Sequence, residues 1–517
     1  MAAQSPVAAH APLKGGTLVI GTIAVSLATF MNVLDVSIAN VSIPAIAGDL
    51  GVSPNQGTWI ITSFAVANAI SVPLTGWLTE RYGQVRLFVA TILLFVLASL
   101  LCGFAPSIEV LILFRVIQGA VAGPMIPLSQ TLLLASYPKE KSGMALAMFS
   151  LTILVAPVVG PLLGGWITDN ISWPWIFFIN VPVGLVSAAL AWVLYRDRES
   201  PRRGMPIDAV GLVLLVVWVG ALQVMLDKGK DLDWFASGIV VALAAAAALG
   251  FALFLAWELT ERHPVVDLHL FLRRNFWTGT LAISFSYGAY FASIVLLPLW
   301  LQQFMGYTAT QAGMALAPVG VLALLLTPLV GKNINKVDPR VFATVALIVF
   351  AFVSLMRGGF STQVDFDTII IPTVIQGAAL SCFFIPLVTL SLSGLAQERI
   401  ASASGLNNFA RIVAGAFGTS IATTLWDHRA SLHHAQLAEH VTRYDPSAVD
   451  ALQKLGSMGL NADQAYGFIN RLVDQQASTL AALDVFNASA VLLVLLIPLV
   501  WLARPAKQGA GAPAGTH

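Results

Sequence analysis

The sequence predicts an all-α membrane protein made of two six-helix bundles in parallel pseudo-repeat, with two further helices inserted between them. Hydrophobic residues make up 57% of the 517 residues and charged residues only 10%, whereas an ordinary soluble domain has roughly 25% charged residues. Apolar segments long enough to cross a bilayer recur along the chain, and one motif recurs after 258 residues. The net charge of +1 gives no basic field, so no nucleic-acid partner is expected.

The apolar segments are counted on the rule that one helical crossing needs about 20 residues. The first segment follows a short polar lead and has no small-residue cleavage site, which predicts a retained helix and not a signal peptide. The scan predicts fourteen crossings. They cover residues 16–43, 57–79, 86–105, 107–134, 143–168, 172–195, 207–226, 235–257, 276–301, 311–331, 341–358, 367–393, 401–426 and 483–503.

The positive charges predict the orientation of these helices. Most of the 27 Lys and Arg residues, including the cluster at 196–203, fall on tails and loops that share one side if the crossings alternate. The short loops assigned to the other side contain only Lys228, Lys230 and Arg357. Because positively charged loops stay in the cytoplasm, both chain ends are expected there, in a multi-pass protein of the bacterial inner membrane.

An internal repeat predicts how the helices are grouped. The sequence Val-Ile-Gln-Gly-Ala occurs at 116–120 and again at 374–378, each time followed by Ile-Pro-Leu. An even number of crossings separates the two copies, so the halves are expected to run parallel, with a substrate cavity between them at the midplane and alternating access by rocking of the halves. The predicted units are residues 1–200, the inserted pair 201–262, and residues 263–510, which include the long loop 427–482.

One acidic residue, Asp35, lies deep in a predicted crossing, where a charge is expensive and therefore a candidate for function. Asp35 and Arg115 are each about nine residues from the same end of their helices, roughly 13 Å at 1.5 Å per residue. The two side chains are therefore expected to meet. A carboxyl group whose environment alternates between burial and an adjacent arginine can take up and release a proton. The alternative is a permanent ion pair that only joins two helices.

Polar and aromatic side chains within the crossings predict an apolar substrate cavity with a few hydrogen-bonding groups, which suits varied amphipathic ligands. Helix bridging and ordinary packing are the alternatives for these residues. The candidates are Asn32, Gln118, Asn180, Tyr287, Tyr290, Phe291, Gln376, Asn407, Asn408 and Arg411.

Two glycine-containing motifs are candidates for moving parts. In the fifth predicted crossing, small residues spaced by four allow close helix contact and prolines bend the helix, which predicts a tight seal between the halves or simple packing; its residues are Gly160, Pro161, Gly164 and Gly165. The loop after the second crossing is a candidate cytoplasmic gate, or a loop that only fixes topology. Its residues are Gly76, Glu80, Arg81, Gly83 and Arg86.

These motifs resemble those of a known family. The loop at 76–86, Arg115 with Gln118 and Gly119, and the fifth-helix glycines resemble signatures of the major facilitator superfamily, and residues 34–44 and 175–184 are similar to its fourteen-helix drug:proton antiporters. The resemblance implies the major facilitator fold and the proton-driven export of hydrophobic drugs and uncouplers, with no cofactor. It also implies a periplasmic membrane-fusion adaptor of the EmrA type and an outer-membrane channel. Glu80 and Val85 depart from the usual Asp and basic residue of the gate signature.

A proton-coupled importer of a small solute is the alternative function, and a membrane receptor or enzyme is a third. An importer would be expected to have more charged groups in the second half, and the sequence lacks a recognisable catalytic set. The loop 427–482 is expected to form two short amphipathic helices, one capped by Asn461 and Gln464, and to contact the adaptor or to cover the cavity passively. Its histidines, which are not expected to bind metal, are His428, His433, His434 and His440.

Overall fold

The computed structural model describes residues 11–202, 206, 208–439, 441–442 and 444–504, and in these residues helices are the regular secondary structure. Fourteen of the helices are long. In chain order they are α1 Gly15–Asp49, α2 Trp59–Tyr82, α3 Gln84–Gly103, α4 Ile108–Ser136, α5 Ser142–Asn170, α6 Trp175–Arg198, α7 Ala209–Lys228, α8 Gly238–Thr260, α9 Arg274–Gln303, α10 Thr310–Asn333, α11 Pro339–Arg357, α12 Phe366–Leu392, α13 Ile400–Glu439 and α14 Ala462–Trp501.

Thirteen of these helices are long and apolar enough to cross a membrane, and α13 is the exception. The predicted crossing 401–426 is helical, yet its helix contains the buried polar side chains Asn407, Asn408 and Arg411. These polar residues lower the mean hydropathy of α13. They are accommodated because the helix packs between α9 and α14. The predicted architecture is therefore observed, with one of its fourteen helices polar.

The helices form two bundles. In the first, α1 packs on α5 and α6, α2 packs on α4, and α3 packs on α4 and α6; their apolar faces make two buried clusters. In the second, α9 packs on α13, α10 on α12, and α11 on α12 and α14. The inserted helices α7 and α8 pair with each other, and their buried cluster reaches α2 and α13.

The two bundles share local irregularities. α4 is interrupted at Gly123 and Pro124, and α12 is interrupted at Cys382 and Phe383, which is within one residue of the same place once the 258-residue offset is applied. In both helices the break precedes the Ile-Pro-Leu segment. The sequence repeat therefore corresponds to a repeat of helix geometry.

We call the end of the bundle that contains the start of α1 and the end of α14 the terminal face. Here the two halves meet through very small residues. A Cβ atom on Gly143 of α5 would lie 2.3 Å from the carbonyl oxygen of Gly331 of α10, and a Cβ atom on Gly76 would lie 2.0 Å from the Ser402 hydroxyl of α13. Any side chain larger than hydrogen at these two glycines would separate the halves.

The fifth-helix glycines were predicted to seal the two halves against each other, but they contact α1 of the same half. A Cβ atom on Gly160 would lie 2.4 Å from the Ser37 side chain, and one on Gly164 would lie 3.1 Å from the Ile38 backbone. Both glycines therefore let α5 approach α1 within the first half. The spacing of the small residues correctly predicted which face of α5 makes a close contact, but it could not predict which helix packs against that face. α5 contacts α10 and α12 of the other half, and Gly143 at the opposite end of α5 is part of that contact.

We call the opposite end of the bundle the loop face. There the end of α7 joins the two halves: Ser420 of α13 donates to the Leu226 carbonyl at 2.8 Å, and Lys230 pairs with Asp427 at 2.8 Å. On the other side, the Thr62 hydroxyl of α2 donates to the carboxylate of Asp227. The inserted pair is thus attached to both bundles.

The loop 427–482 differs from the prediction. It contains one separate short helix, Pro446–Ser457, while α13 and α14 extend beyond their apolar parts as single helices. Hydropathy marks only the apolar part of such a helix. The predicted cap is confirmed, because Asn461 and Gln464 form a reciprocal capping box at the start of α14. Two of the described histidines pair with carboxylates, His433 with Asp484 at 2.8 Å and His434 with Asp474 at 3.3 Å. His440 lies outside the described residues.

Candidate functional site

The first cluster of buried polar groups lies inside the N-terminal half. Asp35 of α1 is 2% exposed and Arg115 of α4 is fully buried. Arg115 Nη1 donates to Asp35 Oδ2 at 2.6 Å. The structure therefore brings together the two charges that were expected to meet. We call Asp35 and the groups that contact it the acid cluster.

Two neutral side chains, those of Asn180 and Gln118, complete the acid cluster. Asn180 Nδ2 donates to Asp35 Oδ1 at 2.8 Å, and Gln118 Nε2 donates to the same oxygen at 3.1 Å. Asn180 also donates to the Ser99 hydroxyl at 3.0 Å. Both oxygens of Asp35 are thus satisfied by donors from α4 and α6. The sequence placed Gln118 and Asn180 in a substrate cavity, whereas the structure places them on the carboxylate.

The surroundings of Arg115 fix its position. Its Nε donates to the Ile60 carbonyl at 3.1 Å, and its guanidinium lies 4.2 Å from the centre of the Phe64 ring. Its Nη2 is buried without a hydrogen-bond partner among the described residues. A buried charge pair is stable only when its remaining polar atoms are well bonded. The one unbonded nitrogen is a position where an added acceptor, such as water, would bind.

A second cluster in the C-terminal half was not predicted. Arg357, assigned from the sequence to a short outer loop, is the last residue of α11 and is 1% exposed. Its Nη1 donates to the Ser293 hydroxyl at 2.8 Å, and its Nη2 donates to the Gln376 side-chain oxygen at 2.9 Å and to Thr373 at 3.1 Å. The loop assignment is wrong because the long side chain turns back into the bundle. We call these four residues the arginine cluster.

The two clusters occupy equivalent places in the repeat. An offset of 258 residues carries Gln118 onto Gln376 and Arg115 onto Thr373. The ends of α1 and α9 repeat at an offset of 255, which carries Gly51 onto Gly306, so Ser293 lies on the counterpart helix of Asp35 about one turn beyond the matching position. The repeat of Gln118 at Gln376 was therefore the signal that could have led to Arg357, which donates to Gln376. The halves differ in charge, since the arginine cluster has a guanidinium and no carboxylate among the described residues.

A third group lies where the halves meet. Arg411 of α13 is 7% exposed, and its Nη2 donates to Asn408 Oδ1 at 2.6 Å. Its guanidinium lies 5.2 Å from the Tyr287 ring centre and 5.3 Å from that of Phe384. Asn408 also contacts Gln130 of α4 at 3.4 Å, across the boundary between the halves. Gln130 and Phe384 were missed from the sequence.

The other cavity candidates have separate contacts. Phe291 stacks on Tyr287 with ring centres 5.4 Å apart, and Tyr290 lies 6.2 Å from Tyr287. Asn407 donates to Thr280 and Ser391 within the second half, and Asn32 donates to the Ala122 carbonyl within the first. The structure therefore groups Tyr287, Phe291 and Arg411, and it places Asn32 and Asn407 in contacts between helices.

The gate candidates lie at the terminal face. Gly83 has φ of +89°, a conformation that favours glycine, and it ends α2 so that the chain can turn into α3. The backbone N–H of Arg86 donates to Glu199 at 3.1 Å, which ties this turn to the end of α6. Arg81 lies over the Trp77 ring, and Glu80 is half-buried on the same helix turn. Gly76 meets the other half at Ser402.

Comparison with known proteins agrees with this architecture. The family model described as "Major Facilitator Superfamily" matches residues 25–419. The chain is 50% identical to the "Multidrug export protein EmrB" of Escherichia coli (strain K12) over 507 residues, 98% of this chain and 99% of that protein. It is 47% identical to the "Fatty acid resistance protein FarB" of Neisseria gonorrhoeae over 502 residues, 97% of this chain and 99% of that protein.

Solved structures agree in fold. The human organic anion transporter MFSD10 matches with a TM-score of 0.58 at 12% identity, covering 94% of this chain and 100% of that one. The proton:xylose symporter XylE matches with a TM-score of 0.56 at 12% identity, covering 90% and 94%. Such low identities bear on the fold alone. From the family match and the full-length relatives, the chain belongs to the Major Facilitator Superfamily and is a multi-pass secondary transporter, not an enzyme.

Proposed function

We propose that this protein exports hydrophobic drugs and other toxic amphipathic compounds across the bacterial inner membrane in exchange for protons. The observation that supports it most is the acid cluster, a single buried carboxylate held by an arginine from another helix at 2.6 Å. Two relatives that are 50% identical over nearly the whole chain are named as multidrug export proteins, which supports the class of substrate.

The coupling step follows from the contacts of Asp35. While α1 and α4 hold it against Arg115, Gln118 and Asn180, the charged carboxylate is stabilised. When rocking of the halves separates these donors and admits water, the carboxylate takes up a proton. Return of Arg115 expels that proton on the other side. The proton gradient is therefore the energy source, and no cofactor takes part.

The test is transport by an Asp35→Asn variant in proteoliposomes with an imposed pH gradient. The amide has the same shape but cannot release a proton, so we expect gradient-driven accumulation of a fluorescent drug to stop while drug binding remains. Asp338→Asn, which alters an acid paired at the terminal face, is the matched control and should transport normally. Full gradient-driven transport by Asp35→Asn would refute the coupling role.

We propose further that both chain ends are cytoplasmic, so that the loop face is periplasmic and contacts an adaptor of the EmrA type leading to an outer-membrane channel. Exposed apolar side chains on that face support the contact, among them Tyr444 at 95% and Met458 at 74% exposure. A variant with Tyr444→Ser and Met458→Ser should bring down less adaptor in co-purification. Undiminished recovery would leave the loop as a passive cover.

A further inference from the structure

Two buried guanidinium groups of the C-terminal half have no carboxylate partner. Arg115 in the other half pairs with Asp35, but no ion pair of the described residues includes Arg357 or Arg411. Both are at least nine-tenths buried, at 1% and 7% exposure. Moving an unpaired ion out of water costs several kcal/mol even after relaxation. A protein keeps such a charge where a counter-ion completes it.

The two groups are connected through a pair of tyrosines on α9. The guanidinium of Arg411 lies 5.2 Å from the Tyr287 ring centre, and Tyr287 lies 6.2 Å from Tyr290. Tyr290 precedes Ser293 by about one turn of α9, and the Ser293 hydroxyl accepts from Arg357 Nη1 at 2.8 Å. We call Arg411, Tyr287, Tyr290 and Arg357 the arginine–tyrosine row. The row extends from the boundary between the halves into the C-terminal bundle.

The donors of these arginines are incompletely used. Arg357 Nε is buried and has no hydrogen-bond partner among the described residues. Arg411 makes one side-chain hydrogen bond in the described part of the chain, from Nη2 to Asn408. A guanidinium has five N–H donors in a planar fork that matches a carboxylate. Arg411 therefore retains unused donors at the boundary between the halves, where a substrate would enter.

The side chains around Arg411 indicate the chemistry of the part of the ligand that does not contact the guanidinium. Tyr287, Phe291 and Phe384 present aromatic rings beside the guanidinium, while Asn408 and Gln130 are the neutral polar groups nearby. An apolar wall with one cation matches an alkyl or aryl chain that ends in an acid. A small inorganic anion would leave the aromatic rings unused.

We propose that the arginine–tyrosine row recognises the carboxylate of an amphipathic substrate, with Arg411 in contact with the carboxylate and Arg357 as a fixed positive charge behind it. This proposal rests on the proposed export function and names its substrate class. Substrate binding supplies the negative charge that the C-terminal half lacks. In the N-terminal half the protein supplies that charge itself, through Asp35.

The experiment compares two probes of the same chain length on the purified full chain in nanodiscs. Dodecanoate and dodecanol are titrated calorimetrically at pH 8.5, with empty nanodiscs subtracted. The wild type is expected to bind dodecanoate at least about tenfold more tightly, since a charge-assisted bidentate contact is roughly twice as strong as a neutral one. Arg411→Gln should remove that preference, and Arg411→Lys should keep part of it because lysine retains the charge without the fork.

The matched control is Arg340→Gln, the same substitution in the same half at an arginine that already has a carboxylate, Asp338, at 2.6 Å. It should leave the preference for dodecanoate unchanged. Arg357→Gln should weaken dodecanoate about threefold, because its charge acts at longer range. Equal affinity of the wild type for the two probes would overturn the proposal, even if a variant fails to fold. Retained preference in Arg411→Gln would overturn it too.

Export of an uncharged dye separates this proposal from the general function. The wild type and Arg340→Gln should both expel Nile red in response to a pH gradient, while Arg411→Gln loses the discrimination between dodecanoate and dodecanol. If the wild type expels neither compound, the export function fails, and the calorimetric comparison still decides whether the carboxylate site exists.

Discussion

The acid cluster and the arginine cluster are the same place in two copies of one bundle, with different charge. In the first, Arg115 on α4 faces Asp35 on α1. In the second, α4's counterpart provides Thr373 and α1's counterpart provides Ser293, while the arginine comes from α11. Both clusters retain a glutamine at the same position. The comparison shows that the repeat preserved a buried polar position, and that the N-terminal copy has the titratable acid.

The largest expected difference between the two clusters is the loss of unfolding free energy when each arginine is replaced, beginning with Arg115. Arg115→Gln leaves the Asp35 carboxylate buried without its counter-charge, which costs about 3–5 kcal/mol of unfolding free energy. Arg357→Gln leaves only neutral partners, so its cost should be about 1–3 kcal/mol. Denaturant unfolding of both variants at pH 8 measures the difference. Equal losses would mean that charge pairing does not distinguish the clusters.

A smaller effect is expected from adding the missing acid. Ser293→Asp places a carboxylate where the Ser293 hydroxyl now accepts from Arg357 at 2.8 Å. Pairing the buried cation should raise the unfolding free energy by about 1.5–3 kcal/mol, the range for a hydrogen bond to a charged group. Thermal unfolding is the measurement, and Ser293→Asn is the uncharged control. A Ser293→Asp variant that is less stable than Ser293→Asn would show that Arg357 is already neutralised.

The smallest effect concerns an ion pair outside the membrane-spanning segments. The hydrogen bond from Arg340 holds the pKa of Asp338 below its ordinary value of 3.8. A lowered pKa means that the stabilisation is present above pH 3.8 and is lost as the pH falls through the folded-state value. Because the pair is partly exposed, Asp338→Asn should cost at most about 1 kcal/mol at neutral pH. Unfolding measured from pH 7 to pH 3 should show the variant and wild type converging.

The fold and the acid cluster could be predicted from the sequence because each depends on a local count. Segment length gives the helices, and equal depth in α1 and α4 places Asp35 near Arg115. Arg357 could not be placed by hydropathy, since an arginine at a helix end can turn into the bundle or into water. The partner of Gly160 was also beyond the sequence, because a row of small residues permits a close contact without naming the neighbour.

The low hydropathy of α13 has a consequence for how the protein is made. A helix with Asn407, Asn408 and Arg411 in its apolar stretch gains little from lipid alone, because polar and charged residues at a helix centre oppose insertion. It packs against α9, synthesised before it, and α14, synthesised after it. Its stable insertion therefore waits for α14, so the last segment of the chain is needed during biogenesis to retain a helix that precedes it.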